Sequence, residues 1–565
     1  MCGISGAFAK NISFDSEKIV DHIMKDQWYR GPDYQSKQRI EVKNAQVILG
    51  HNRLSVIDLS DQANQPMYDV TNRYCIVYNG EIYNYIELKS ELEQNGLLFN
   101  SRSDTEVILN AFAHWGIGAL SHFNGPFAFA IFDRQTGELW LCRDRFGVRP
   151  LYYIIINETL YFASTTHVLA KTFQLRPNLH YLARGLNYLV YEDDGDSSAF
   201  LKLSSVPAGN YIRIFHKQDN LSIEIKPYYH LAHQVEDLIE NVALNHPQYL
   251  LKRVQETFET AVTIRLRSDV PIAISLSGGL DSSSIAALVH QHQDQLLGFS
   301  FAHPLYKKTE GPLVANLAKS LGLPIHYVWP TPKEFVDGLF ETINIQNAPF
   351  SSLSIVAQYL LYKKVREQGM KVLLGGQGGD ESFMGYRKFL FFWLKQLIET
   401  KHYFAAATNL LTLFPVLFSE ITQWKLYWSH RHRYMEKRGT DTLLQLPEIT
   451  SIRLNHDSAQ PLWQRQMQDI LQFSLPTLLR YEDRNAMGNS VESRLPFMDF
   501  HLVELGLALP TAFKLRGGFG KWPIRQLMQN QLPNCIRLAR YKRGFDITTD
   551  LLLKAELGKR IRDVL

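Results

Sequence analysis

The sequence predicts two domains: an α+β unit rich in antiparallel sheet, followed by an α/β unit built on a parallel sheet. Three observations carry this expectation. The chain has 565 residues, more than one ordinary core accommodates. Up to about residue 170 it reads as short runs of β-branched and aromatic residues: VILGHNRLSVIDL, RYCIVYNGEIY, PFAFAIFD, ELWLCRDRF, PLYYIII and LYFAS, separated by Asn, Asp and Gly turns. From Pro271 onward apolar strands alternate with helices, the pattern of a parallel sheet covered on both faces.

In the first half, helices are expected at Tyr85–Glu93 and Thr105–Trp115. Between residues 195 and 245 the text changes character, through the polar EDDGDSS and the turn VPAGN, and a linker is expected at 216–245. In the second half PIAISLS, LLGFSFA, PIHYVW and KVLLGG read as strands, while SSSIAALVHQH, VANLAKSLG and SIVAQYLLYKKVREQG read as helices. Ligands of such sheets bind at the carboxyl ends of the strands. The most apolar window, Tyr403–Phe418, is interrupted by Asn409 and Pro415 and is short for a membrane span, so a buried or interface helix is expected there.

Composition narrows the class. Hydrophobic residues make up 45% and charged residues 21%, as in ordinary soluble globular proteins. A formal net charge of +4 on this length gives no argument for nucleic acid or an acidic membrane as partner. Cys2, Cys75, Cys142 and Cys535 lack metal-clip spacing and are too few for a disulfide framework, so a reducing, cytoplasmic setting is expected. The start, MCGISGAF, lacks the basic and apolar regions of a signal peptide.

Cys2 becomes the first residue if Met1 is removed. Its α-amine, titrating near ~7.7–8.0, could then take the thiol proton. Alone, a Cys at position 2 reads as accident. Three further segments change that. Asn79 and Gly80, after the apolar run IVY, offer a side-chain amide and a backbone N–H for an oxyanion. Arg53 in GHNRLSV offers a guanidinium fork for an α-carboxylate. Glu81 and Asp104 together could bind an α-ammonium, although Asp104 reads equally as a helix cap.

MCGISGAF, RGPD at Arg30–Asp33, GHNRLSVIDLS, YNGEIYN, SDTEVIL and RDRFG, in this order, resemble the glutaminase domain of class II glutamine amidotransferases, especially the asparagine synthetase family. The resemblance implies an N-terminal nucleophile domain of αββα sandwich form over residues 2–215. Cys2 is then the nucleophile, Asn79 and Gly80 the oxyanion hole, Arg53 the holder of the glutamine carboxylate, and Glu81 and Asp104 the holders of its amine.

The second site lies past the expected linker. Ser277-Gly278-Gly279-Leu280-Asp281-Ser282-Ser283 sits between an apolar strand and a helix, where glycines admit an anion and the helix N-terminus attracts it. The Gly-Lys-Ser/Thr ending of the P-loop is absent, and taken alone the segment is a Gly-rich turn. Asp380 and Glu381 in GGQGGDES, with Asp281, could hold Mg²⁺; alone they read as a capped surface loop. SGGLDSS resembles the pyrophosphate loop of enzymes that cleave ATP to AMP and pyrophosphate. LLRYEDRNAMGNSVESRLPFMD and GKWPIRQLM also resemble the asparagine synthetase family. That resemblance implies an ATP-pyrophosphatase domain over residues 246–565, with Leu276, Ser277, Gly278, Gly279, Asp281, Ser282, Ser300, Gly375 and Gly376 around ATP. Lys521 would offset charge on the phosphate, although a loop Lys is by itself usually just solvated.

The implied reaction is asparagine synthesis: ATP adenylates the aspartate side chain, and ammonia freed at Cys2 crosses an internal tunnel and displaces AMP. A homodimer is the family-level expectation. Two departures bear on the acceptor. Gln377 stands where relatives often carry Glu or Asp, and Asn347-Ala348 where many read Asp-Glu. The alternative is amidation of another carboxylate, such as a uronic acid in surface polysaccharide or a natural-product precursor. Retention of Cys2, Asn79, Arg53, Asp281, Asp380 and Lys521 argues against a non-catalytic regulator, and an intact glutaminase site argues against a cyclase that needs no ammonia.

Overall fold

Two six-stranded antiparallel sheets stack face to face in the first half of the computed structural model, which describes residues 1–218, 220–243, 246–293, 296–301, 311–419 and 454–540 with a few isolated positions. The first sheet runs β10 (Ser204–Ser205), β8 (Tyr152–Ile156), β9 (Thr159–Ala163), β1 (Gly3–Ala9), β3 (Ala45–Arg53), β2 (Tyr34–Val42). The second runs β12 (Asn220–Pro227), β11 (Asn210–Lys217), β7 (Glu138–Arg143), β6 (Phe127–Asp133), β5 (Tyr74–Gly80), β4 (Met67–Tyr68).

Period-two alternation builds the layers. Ile4 and Phe8 of β1 point inward and meet Val77 of β5 and Phe132 of β6 in one core between the sheets. Ala7 and Ala9 point the other way, under the Phe14–Asp26 helix. The outer face of the second sheet, with Ile76 and Tyr78, is covered by the Tyr85–Gln94 and Asp104–Trp115 helices. The order helix, sheet, sheet, helix is the αββα sandwich that the family resemblance implied.

In the second half β15 (Ile325–Val328), β14 (Leu297–Phe301), β13 (Ile272–Ser275), β16 (Val372–Leu374) and β17 (Glu492–Arg494) form a parallel sheet in that order. Ile272 and Ile274 of β13 join a core with the Pro247–Thr263, Leu280–His290 and Phe500–Ala508 helices. Ala273 faces the opposite core, with residues of the Ser354–Glu367 helix.

Three features differ from expectation. Residues 216–245, expected as a linker, are built into both domains: β12 is an edge strand of the second sheet, and the Leu231–Ala243 helix packs on the Phe500–Ala508 helix. The reason is the alternation of Ile212 and Ile214, which carries β11 into the core and lets β12 pair beside it. β17 has no apolar run, because its side chains Glu492, Ser493 and Arg494 are buried in polar contacts. In the Tyr403–Ser419 helix, expected as a buried or interface helix, Phe404 is 85% and Leu411 74% exposed, which excludes full burial within the single chain.

The sandwich core sets the stability of the first domain. Truncating the fully buried Phe132, as Phe132→Ala, should cost about 3–5 kcal/mol, read as a lower denaturant midpoint at unchanged m-value.

Candidate active site

The ends of β1 and β5 converge at one rim of the sandwich, and this places Cys2 beside Asn79. The Cys2 backbone N–H donates to Asn79 Oδ1 at 2.9 Å. That bond turns the Asn79 amide nitrogen the other way. Nδ2 is buried and has no hydrogen-bond partner among the described residues. A buried donor without an acceptor is costly unless a ligand completes it, and an oxyanion beside the thiol would do so. Gly80 follows directly; a Cβ there would meet the Pro126 carbonyl at 2.3 Å, so the strand end needs glycine. Burial pushes the Cys2 thiol up, against the pull of the neighbouring α-ammonium, the Leu54 N–H and the Arg53 guanidinium. The thiol is therefore protonated at neutral pH and needs a base.

The other expected glutamine contacts surround this point, with partners of their own. Arg53 donates to the Ser60 carbonyl at 2.9 Å, to Asn64 Oδ1 at 2.7 Å and to the Asp58 carbonyl, so it ties down the 58–64 loop. Asp104 is not the helix cap; Ser103 is, accepting from the Thr105 N–H. Asp104 instead accepts from Tyr78 OH at 3.0 Å and from the Ile82 N–H at 3.1 Å, with burial pushing its carboxyl up. Glu81 lies 3.1 Å from Arg494, a residue of the second domain.

Arg494 carries no local catalytic signal in the sequence. Its Nε donates to Glu492 Oε1 at 2.6 Å. The α-ammonium of Met1 sits 2.7 Å from Glu492 Oε2, both groups buried. Two buried carboxylates thus share one guanidinium. Burial drives Glu81 well up, while the α-ammonium, Arg494 and Arg149 hold Glu492 low against its own burial. Beside this cluster Arg30 of the RGPD segment donates to the Cys2 carbonyl at 3.1 Å and forks onto Asp483 at 2.9 and 3.2 Å. Gly31 admits the approach, since a Cβ there would lie 2.1 Å from the Asn52 carbonyl. Asp33 at the other end takes Lys371 at 2.7 Å. The RGPD segment is therefore a clamp between the domains. Its signal was in the sequence as a motif, but its partners lie more than 300 residues away.

The second site is a cavity of about 400 Å³ at the carboxyl ends of β13 and β16. Ser277, Gly278, Gly279, Asp281 and Ser282 line it from one loop, Gly375, Gly376, Gln377 and Asp380 from another, and Lys521 closes it. Gly278 has φ +68°, a left-handed turn suited to glycine, and Gly279 caps the Leu280–His290 helix. Lys521 Nζ bridges Asp281 at 2.5 Å and Asp380 at 2.7 Å. Leu276 packs into the core instead, and Ser300 is buried on β14; neither lines the cavity. Glu381 is not with the other two carboxylates: it takes Tyr386 OH at 2.6 Å from the Gly379–Ser382 turn of helix, whose successive side chains diverge. Asp281 and Asp380 are hard oxygen donors of the kind Mg²⁺ takes together with phosphate oxygens, so they fit the ion, without Glu381. Asn347 is not in this cavity but at the domain junction, beside Tyr29 and Arg30.

The orphaned Asn79 donor yields a direct test. Asn79→Ala should lower glutamine hydrolysis about 10²–10³-fold in kcat, with ammonia-dependent turnover untouched, measured by glutamate release.

Comparison with known proteins matches the same two halves. The family described as Asparagine synthase matches residues 253–565, and the Glutamine amidotransferase domain matches residues 1–229. The chain is 26% identical to asparagine synthetase (glutamine-hydrolyzing) 1 of Bacillus subtilis, over 100% of this chain and 90% of that protein. It is 28% identical to amidase chry2 of Gibberella zeae, over 91% and 84%. It is 32% identical to putative asparagine synthetase (glutamine-hydrolyzing) 2 of Methanocaldococcus jannaschii, over 68% and 76%. With the family match covering more than half its length, the chain belongs to the asparagine synthase family of glutamine amidotransferases.

Proposed function

We propose that this chain makes asparagine from aspartate, glutamine and ATP, releasing glutamate, AMP and pyrophosphate. The observation that supports the reading is a single helix that touches both candidate sites. Adjacent residues of the Leu475–Met487 helix serve both sides: Asp483 holds Arg30 at the Cys2 backbone, and Glu482 lines the nucleotide cavity. Nitrogen freed at Cys2 would pass along this helix to reach an activated carboxylate.

In the first half-reaction the Cys2 thiol attacks the side-chain amide of glutamine. Excision of Met1 frees the α-amine that takes the thiol proton and removes the buried Met1 side chain from the core. Asn79 Nδ2 and the Gly80 N–H receive the oxyanion. Arg53 takes the α-carboxylate, and Glu81 with Asp104 the α-ammonium. In the second half-reaction an aspartate carboxylate oxygen attacks the α-phosphorus of ATP and pyrophosphate leaves. The Ser277–Ser282 loop and the helix N-terminus behind it receive the phosphates. Asp281 and Asp380 would hold Mg²⁺, which neutralises phosphate charge when bound, and Lys521 offsets charge on the phosphate as AMP departs. Ammonia displaces AMP. The setting proposed is the cytoplasm, with a homodimer as the family-level assembly.

Two measurements test this. Cys2→Ala should abolish glutamate release and keep amide formation from ammonium chloride; loss of both activities in a folded variant contradicts two separable sites. Pyrophosphate release with ATP and Mg²⁺ should rise on adding aspartate. Gln377 on the cavity wall, where relatives often carry an acid, supports a second reading in which another carboxylate is the acceptor. A response to a uronic acid without one to aspartate would select it.

A further inference from the structure

The nucleotide cavity contains an unassigned carboxylate. Of its described lining residues, the acidic ones are Asp281, Asp380 and Glu482. Lys521 holds the first two. Glu482 is placed differently. Its Oε1 lies 3.5 Å from where a Cβ on Gly375 would sit, at the end of β16 where the second nucleotide loop begins. It accepts from Ser493 Oγ at 2.6 Å, from Tyr362 OH and from Gln358 Nε2. Three neutral donors on one buried carboxylate stabilise its ionised form without supplying a cation of their own. Burial acts the other way and pushes the Glu482 carboxyl up, with the buried Arg149 guanidinium opposing it and Tyr362 the titratable group in contact. Burial thus raises the proton affinity of this carboxyl above that of an exposed glutamate.

Its position along the nitrogen path is equally specific. Ser493, the donor to Glu482, is the neighbour of Glu492 on β17. Glu492 holds the α-ammonium of Met1, so its site accepts an ammonium group. Glu492 at the Cys2 end and Glu482 in the cavity therefore lie one residue step apart through Ser493. Gln377, on the same cavity wall, has an amide that accepts no proton at neutral pH.

We propose that Glu482 is the proton acceptor of the amide-forming step. This rests on the reading above that the cavity forms an acyl-adenylate. Ammonia entering past Glu492 and Ser493 attacks the acyl carbon and a C–N bond forms. The C–O bond to AMP breaks and its electron pair leaves with AMP. The proton that the new ammonium nitrogen must lose passes to the Glu482 carboxylate, giving a neutral amide, AMP and a protonated Glu482.

The test uses the full chain with aspartate, ATP, Mg²⁺ and ammonium chloride, and reads pyrophosphate–ATP exchange and amide formation separately. In Glu482→Gln exchange should persist while amide formation falls about 10²–10⁴-fold. Glu482→Asp, which keeps a carboxylate, should recover part of the loss, and glutamate release from glutamine should stay intact in both. Amide formation at the unmodified rate in Glu482→Gln overturns the proposal. So does a parallel fall of exchange and amide formation in both variants, which marks Glu482 as structural. Absence of carboxylate-dependent exchange in the unmodified enzyme sinks the parent reading and this one together, and that outcome is seen without any variant.

Discussion

The structure depends on a set of buried charges at the junction of the two domains. Arg494 reaches from β17 to Glu81, Asp483 takes both arms of Arg30, and Glu492 closes the set on the chain start. Leaving one member of a buried pair without its partner costs about 3–5 kcal/mol. Arg30 belongs to the first domain and Asp483 to the second, so the pair is complete only when both domains are folded and docked. Asn124 adds a bond to Asp499 at 3.0 Å, and Arg265 lies 3.0 Å from the same carboxylate. The junction behaves as a polar interior shared between two cores.

This constraint has a chemical consequence. Because the junction is held by side chains of β17 and the Leu475–Met487 helix, these two elements form a wall that touches the Cys2 end on one side and the cavity on the other. The wall has acidic groups on both faces. Glu81 and Glu492 face the Cys2 end, and Glu482 the cavity. A shift in the docking of the domains would disturb the oxyanion geometry at Asn79 and the cavity wall together, because Arg30 holds the Cys2 carbonyl and Asp483 follows Glu482 directly.

Local order was readable in the chain text wherever a residue's role depends on near neighbours. The β-branched and aromatic runs RYCIVYNGEIY and PFAFAIFD foretold antiparallel sheet, while the αββα sandwich came from the family resemblance. The runs at β13, β14, β15 and β16 foretold the parallel sheet because continuous apolar strands alternating with helices are buried on both faces. The Asn79-Gly80 pair that lies beside Cys2, and the Ser277–Ser282 loop before a helix, were legible because each is a short local segment. β17 was not legible: its Glu, Ser and Arg are buried by partners that sit far off in the chain, and a charged tripeptide looks solvent-exposed without them. Glu381 was misread by the converse error, since proximity in sequence to Asp380 does not bring two carboxylates to one point on a helical turn.

By itself, then, the sequence determined the two layer patterns, the thiol beside its amide donor, and the glycine-rich loop before its helix, all of which follow from backbone geometry over a few residues. The tertiary structure alone decided which charges meet. Glu81 finds Arg494, Arg30 finds Asp483, and Glu482 turns into the nucleotide cavity while its neighbour turns to the thiol. Long-range electrostatic pairing carries no periodicity, and only the docking of two finished cores brings such groups within a few ångströms.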